Sequence, residues 1–172
     1  MIVFNSERLV VKTVEIAHKE QFIELLSANE IITAIPQKCP SKESIDAKFH
    51  QAINFDGNII KSDRSILGVF EKDQEEMIGL VAFLTNNEGD RELGYRFRKK
   101  YWGKGYATEI TKKMIDYSFS ELNLHKITAD VWVENIASNK VLSKFLNPVK
   151  EFYNNIDNCT DRRYELLKKD WN

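Results

Sequence analysis

Thiols are scarce in this chain. Cys39 and Cys159 lie far apart, show no metal-type spacing and give no disulfide framework, so they read as two free thiols. Histidine is equally sparse: His18, His50 and His125 match no metal pattern and have no Gly-x-Ser-x-Gly partner, which leaves them as surface or packing residues and the chain without an expected metal. No apolar run approaches the roughly 20 residues that span a bilayer, and Met1 to Arg8 lacks a basic stretch followed by an apolar one. The expectation is a cytoplasmic protein with no membrane partner. An excess of charge is missing too. Lys and Arg total 25 against 26 Asp and Glu, a net charge of -1, which removes the general electrostatic case for nucleic acid, so any basic patch must be local. There is no internal repeat, linker or low-complexity block. What remains is 172 residues, 42% hydrophobic and 30% charged, enough for one domain over 1–172 with a sizeable core.

Taken in order, Arg8 to Lys12 is β-rich, and Ile16, Phe22, Ile23, Leu25 and Leu26 then form a helical stripe. Pro36 and Pro40 interrupt regular structure, and Ser41 offers an N-cap to a second helix carrying Ile45, Phe49, Ala52 and Ile53. Arg64 to Glu71 and Met77 to Thr85 predict a hairpin around the charged turn 72–76, with a third strand to Phe97 after the turn 86–90. Gly79 and Gly94 mark bulges or close approach. A long helix is expected from Tyr106 to Leu122, a strand over Lys126 to Val133, and a helix carrying Ile136, Val141, Leu142 and Phe145 that Pro148 stops. The tail predicts a short extended piece near Phe152 and Tyr153, a polar loop from Asn154 to Thr160, and a last strand from Tyr164 to Leu167. Helices flanking a mixed sheet are the natural way to pack this order.

The segment Glu92 to Glu109 carries the chemistry. An extended run enters the basic loop Arg98-Lys99-Lys100, passes Gly103 and Gly105, and leads straight into the long helix. Glycine lets backbone approach an anion closely, and the unpaired N–H groups of a helix start favour negative charge. Two common phosphate cradles fail on spacing. The P-loop needs Gly-Lys-Ser/Thr, but Tyr106 follows Gly105; the dinucleotide fingerprint needs Gly or Ala where Thr108 stands.

With strand 92–97, the run Tyr-Trp-Gly-Lys-Gly-Tyr-Ala-Thr-Glu, strand 126–133 and then Asn135-Ile-Ala-Ser138, the chain resembles the GNAT superfamily of acetyl-CoA-dependent N-acetyltransferases. Within it, the chain is similar to the branch containing the ribosomal-protein N-terminal (alanine/serine) acetyltransferases. That resemblance implies an α/β (α+β) fold: a mixed, mostly antiparallel sheet of six to seven strands flanked by four helices, splayed between strands 92–97 and 126–133 to take the cofactor. It implies acetyl-CoA as co-substrate, no metal, and transfer to a primary amine of a protein N-terminus or small molecule; it also allows a homodimer. Cofactor contacts are implied for Tyr95, Phe97, Arg98, Lys100, Trp102, Gly103, Lys104, Gly105, Tyr106, Ala107, Asn135, Ser138 and Lys140.

Amine acetylation needs a base for the nucleophile and a proton source for the departing thiolate. Glu92 is the candidate base. Many relatives carry a tyrosine acid seven residues after the Asn; here Leu142 stands there and cannot donate, so Ser138 is the nearest replacement. Leu146-Asn147 also replaces the usual Gly-Phe. Asn135 doubles as a helix N-cap, and Lys100 replaces the usual Gln or Arg. The competing readings are a non-catalytic acyl-CoA-binding sensor or interaction module, for which the absent tyrosine speaks, and a nucleotide-binding protein.

Overall fold

A computed structural model describes residues 1–35 and 39–171. Among these, the chain forms one eight-stranded sheet in the order β1-β2-β3-β4-β5-β6-β8-β7, with helices on both faces. The strands are β1 (Ile2–Asn5), β2 (Leu9–Lys12), β3 (Arg64–Glu71), β4 (Met77–Thr85), β5 (Arg91–Phe97), β6 (Lys126–Trp132), β7 (Asn147–Asn154) and β8 (Cys159–Leu167). The helices are α1 (Lys19–Ser27), α2 (Asn29–Ile32), α3 (Lys42–Ile53), α4 (Tyr106–Ser120) and α5 (Ile136–Leu142), with short 3-10 turns beside them. The expected class holds, with one more strand and one more helix than the upper expected counts.

Side-chain alternation distributes the core. On one face Leu93 and Phe97 of β5 pack with Ile110, Met114 and Ile115 of α4 and Leu142 of α5. On the other, Ile66, Phe70 and Leu80 pack against Phe22 and Leu25 of α1 and Ile45, Phe49 and Ala52 of α3. Ser41 caps α3 as expected, its hydroxyl accepting from Ser44 N–H at 3.2 Å. Pro36, one of the two expected chain breaks, lies outside the described residues; Cys39 and Pro40 are in irregular chain.

Every neighbouring pair in the sheet is antiparallel except β5 and β6, which run parallel and share a single registered pair, Glu92 with Thr128. Beyond that pair the strands diverge. This is the expected splay, and it exposes backbone on both sides of a gap in the sheet's middle.

Three sequence expectations are corrected. β1 was not expected; it is four residues long and pairs with β2 around a bulge. α5 ends at Leu142 rather than near Pro148, and the chain is closed by Phe145 and Leu146 N–H groups donating to the Leu142 carbonyl. Pro148 then lies inside β7, where an edge strand with a register shift between Pro148 and Lys150 tolerates its missing N–H. The polar loop shrinks to 155–158 because β7 and β8 continue into it. Of the two strand glycines expected to mark bulges or close approach, Gly79 is a true close approach, since a Cβ would sit 2.7 Å from the Arg96 carbonyl oxygen; Gly94 has nothing nearer than 3.8 Å and leaves the sheet open beside the gap.

Candidate active site

The loop after β5 is built to leave backbone bare. Gly103 and Gly105 sit at φ +76° and +81°, a left-handed conformation that side chains resist, and Gly105 is the cap residue of α4. Having no side chain, it cannot cap the N–H groups of Tyr106, Ala107 and Thr108, which point out of the helix end without an intrahelical partner. A Cβ at Gly103 would meet nothing within 4 Å. Positive dipole, free donors and open space together make an anion seat.

Neighbouring side chains brace that seat. Arg98 donates to Glu24 (2.9 Å) and to Glu76, and Lys100 donates to Glu76 at 2.7 Å. Held by Lys100, Tyr101 and Arg98, the Glu76 carboxyl drops to about 2. On the other side Glu109 accepts from Ser6 Oγ (2.6 Å), Arg8 N–H (2.7 Å) and Arg8 Nε (2.7 Å), while Arg8 Nη1 donates to the Lys104 carbonyl at 3.0 Å. The turn between β1 and β2 thus fixes the first turn of α4. Lys104 lies over the Tyr101 ring, 4.8 Å from its centroid, and remains exposed.

The gap between β5 and β6 opens into a cleft of about 730 Å³. Tyr95, Asn135, Ser138 and Leu142 line it on the α4 and α5 side; Glu92, Gly94, Arg96, Asp130 and Arg163 line it on the α1 and α3 side. The cleft therefore passes through the sheet and joins the two faces. Asn135 accepts from Ser138 N–H at 3.1 Å and so caps α5. The Tyr95 hydroxyl is shielded from solvent and makes no well-aligned hydrogen bond among the described residues. Burial raises its pKa, with the nearby Ser138 hydroxyl pulling weakly the other way, so the phenol keeps its proton.

Glu92 is the titratable group at the crossing point. Burial, with Asp130 and Asp161 adding like charge, pushes its carboxyl from 4.5 up to about 7 against the opposing pull of Arg163 and Arg64. No hydrogen bond or ion pair holds it among the described residues. Asp130, by contrast, is paired with Arg163 at 2.6 and 2.8 Å and cannot share the role. Asp130 is thus engaged in an ion pair, while Glu92 is poised to exchange a proton near neutral pH.

Residues 8–145 match the Acetyltransferase (GNAT) domain family. The chain belongs to the GNAT acetyltransferase family. It is 28% identical over 98% of its length to the uncharacterised N-acetyltransferase YnaD of Bacillus subtilis, and covers 98% of that protein. Its similarity to the uncharacterised N-acetyltransferase p20 of Bacillus licheniformis is 40% identity over 44% of this chain and 43% of that one. Among solved structures, a ribosomal-protein-S5-alanine acetyltransferase from Vibrio fischeri superposes with a TM-score of 0.78 at 18% identity, covering 100% of this chain and 99% of the other. A spermidine N-acetyltransferase from Vibrio cholerae, in complex with CoA and spermine, gives 0.75 at 22%, covering 95% and 97%. At these identities the structures attest the fold alone. The GNAT protein is accordingly an N-acetyltransferase by family, the enzyme class that the Gly-x-Gly motif implied.

Within this GNAT protein the expected site residues divide into groups. Gly103, Lys104, Gly105, Tyr106 and Ala107 form the seat, and Tyr95, Asn135, Ser138 and Glu92 converge on the cleft. Phe97 is buried in the core, and the Tyr106 ring is buried with its hydroxyl donating to Glu71, so Tyr106 presents only backbone to the seat. Trp102 donates Nε1–H to the Phe97 carbonyl at 2.7 Å and shields the loop. Arg98 and Lys100 spend their charge on Glu24 and Glu76, and Lys140 is exposed on α5 away from the cleft lining. Sequence reasoning missed Asn139. Its amide donates to the carbonyls of Trp132 (2.9 Å), Val133 (3.3 Å) and Asn135 (2.9 Å), and its oxygen accepts from Tyr164 OH at 2.9 Å. It locks α5 to the end of β6 and to β8. A buried Asn in a short helix directly after a cap Asn was the available signal. Arg8 and Glu109 were missed as a pair for want of any sequence-local link between them.

Proposed function

We propose that the protein transfers an acetyl group from acetyl-CoA to a primary amine in a ternary complex. The observation that carries this reading is a carboxyl held near pH 7, Glu92, in a cleft that runs through the sheet, in a chain that also leaves the α4 N-terminus uncapped at Gly105. The seat residues Gly103 to Ala107 fit a pyrophosphate through their backbone N–H groups, and the gap lined by Tyr95, Asn135 and Ser138 fits an extended arm. Acetyl-CoA would supply the activated thioester.

Within that frame each residue has a task. Glu92 accepts the proton of the attacking ammonium, directly or through one water, and can do so at neutral pH because its own proton is only half held there. Diverging backbone of β5 and β6 offers N–H donors to charge developing on a carbonyl oxygen in the gap. Ser138 and Tyr95, whose hydroxyls lie together on the arm's side, replace the tyrosine that Leu142 displaces; a phenol that keeps its proton is a competent donor to a departing thiolate. Much of the acceleration comes from holding two reactants on either side of the sheet opening.

Release of free CoA from acetyl-CoA in the presence of N-terminal peptides, polyamines and aminoglycosides tests the reading. Turnover with at least one amine, absent without it, is the expected result. Tight CoA binding with no turnover on any amine would instead make this a CoA-binding module.

A further inference from the structure

The α1 and α3 side of the cleft carries an unexpected charge pattern. Lys48, Arg64 and Arg96 come from α3, β3 and β5, and all three line it. Lys48 shares the inward face of α3 with Ile45, Phe49 and Ala52, so it is aimed at the sheet rather than at solvent. The helix residues one turn away, Ser44, Ile45, Gln51 and Ala52, bring no counter-charge, and no carboxylate pairs with Lys48 or Arg64 among the described residues. Burial lowers the pKa of Lys48, and the charges of Arg64 and Arg96 lower it further. Burial pushes Arg96 down to about 10 even though its Nη1 donates to the Leu25 carbonyl at 3.1 Å. Lys48 is thus held half-buried beside two guanidiniums, at a cost that an incoming anion would offset.

We propose that Lys48, Arg64 and Arg96 form an anion-binding wall of the acceptor chamber, and that the acceptor is an amine bearing a carboxylate a few bonds from its nitrogen. A free acidic amino acid and an acidic peptide N-terminus both present that chemistry. The inference rests on the acetyl-transfer reading and names the substrate class of the same site.

Geometry sets the spacing. Glu92 pairs with Leu84 across β4, and Leu84 pairs with Arg64 across β3, so Glu92 and Arg64 lie in one row on one face, roughly 10 Å apart at the backbone. Arg96 lies four residues along β5 from Glu92, on the same face. With both side chains reaching into the chamber, an amine at Glu92 leaves only a short molecule between it and the cations. The wall also lies on the opposite face from α4, away from the phosphate seat, so it is not placed to hold the nucleotide end of CoA. On the other wall Asp130 is paired with Arg163, while Asp161 accepts from Asn154 at 2.8 Å and from the Cys159 thiol, and Asp157 accepts from Asn154 at 3.1 Å. Asp63 also borders the cleft, and its charge acts on Arg91. A polyamine would have to put its second ammonium against Lys48 and Arg64.

The test measures kcat/KM for CoA release with acetyl-CoA and matched acceptors: free glutamate, Glu-Ala-amide, Gln-Ala-amide, Lys-Ala-amide and spermidine. We expect Glu-Ala-amide or free glutamate to exceed Gln-Ala-amide at least tenfold, with the cationic acceptors below both; which acidic arm leads tells a peptide N-terminus from a free amino acid. In Lys48→Met and Arg64→Gln the ratio of acidic to amide acceptor should collapse toward one, through KM more than kcat. Lys48→Glu should reverse the order, and circular dichroism shows that each variant is folded. Amines acetylated without regard to charge, or a preference intact in the folded variants, overturns the inference while acetyl transfer stands. No amine acetylated although CoA binds overturns both.

Discussion

Replacing Glu92 by Gln separates the chemistry from the fold in one variant. The carboxyl rises from 4.5 to about 7 because it is half-buried beside Asp130 and Asp161. At ~1.4 kcal/mol for each tenfold change in proton affinity, ionising it in the native protein costs about 3 kcal/mol more than in the unfolded chain. Solvent entering the open cleft screens part of this, so about 3 kcal/mol is a ceiling. The sign is fixed by proton counting. Between pH 4.5 and 7 the native state binds more protons than the unfolded state, so stability falls as pH rises through that window, and the full loss is present above it. Gln carries no such charge. The Tm of Glu92→Gln minus that of the wild type should therefore grow from pH 4.5 to pH 8 by up to ~10 °C, at roughly 2–4 °C per kcal/mol for a chain of this size.

Activity should move the other way. Losing a positioned base lowers kcat by on the order of 10²–10⁴ while the Kd for CoA stays unchanged. In the wild type kcat/KM should rise with pH through about 7 as Glu92 ionises, and again as the acceptor amine loses its proton near pH ~8. The variant keeps only the second limb. Calorimetry across pH and a pH–rate profile are the two assays. A Tm difference that is flat with pH refutes the burial argument, and a variant that retains both limbs refutes the role as base.

Other substitutions probe the seat, the proton source and the latch. Gly105→Ala forces a side chain to φ +81°, which should cost about 1–2 kcal/mol of stability and, by shifting the backbone of the α4 start, weaken CoA binding tenfold or more by calorimetry. Ser138→Ala and Tyr95→Phe should each lower kcat modestly, and the double variant should fall by less than the product of the two if the hydroxyls serve one proton transfer; independent, fully multiplicative losses would argue against it. Asn139→Ala takes the acceptor from the Tyr164 hydroxyl and from Arg162 Nη1 and a donor from the Val133 carbonyl, while the Trp132 and Asn135 carbonyls keep their backbone donors, so a loss of about 1–3 kcal/mol in urea unfolding is expected, with kcat falling as α5 loosens.

The donor half of the site was legible because its signals are contiguous. Strand, basic loop, Gly103, Gly105 and the amphipathic α4 follow one another, and each is a backbone device readable from residue type. Element boundaries were less so. β1 has too few residues to show a period, and Pro148 reads as a stop until β7 is known to be an edge strand, where a missing N–H and a bulge are tolerated. Arg98 and Lys100 looked like phosphate ligands because sequence shows charges without partners; Glu24 and Glu76, which occupy them, lie 74 and 22 residues from Arg98.

The acceptor half was illegible for a different reason. Loop acids such as Glu88 and Asp90 have the charge to draw a cationic amine, yet Glu88 is bound by Lys150 and Arg163 and Asp90 by Lys126. Of the cations that line the chamber, Lys48 lies mid-helix and Arg64 is the exposed first residue of β3, and each alone looks like an ordinary solvated residue. What distinguishes them is position: α3 packs against β3, and Lys48 lies within charge range of Arg64 and of Arg96 on β5. Charge identity is written in the sequence, but charge concentration is a product of topology. The acceptor is therefore best sought in which side chains the packing of α3 against the sheet brings together, and here Lys48, Arg64 and Arg96 share one wall of the cleft.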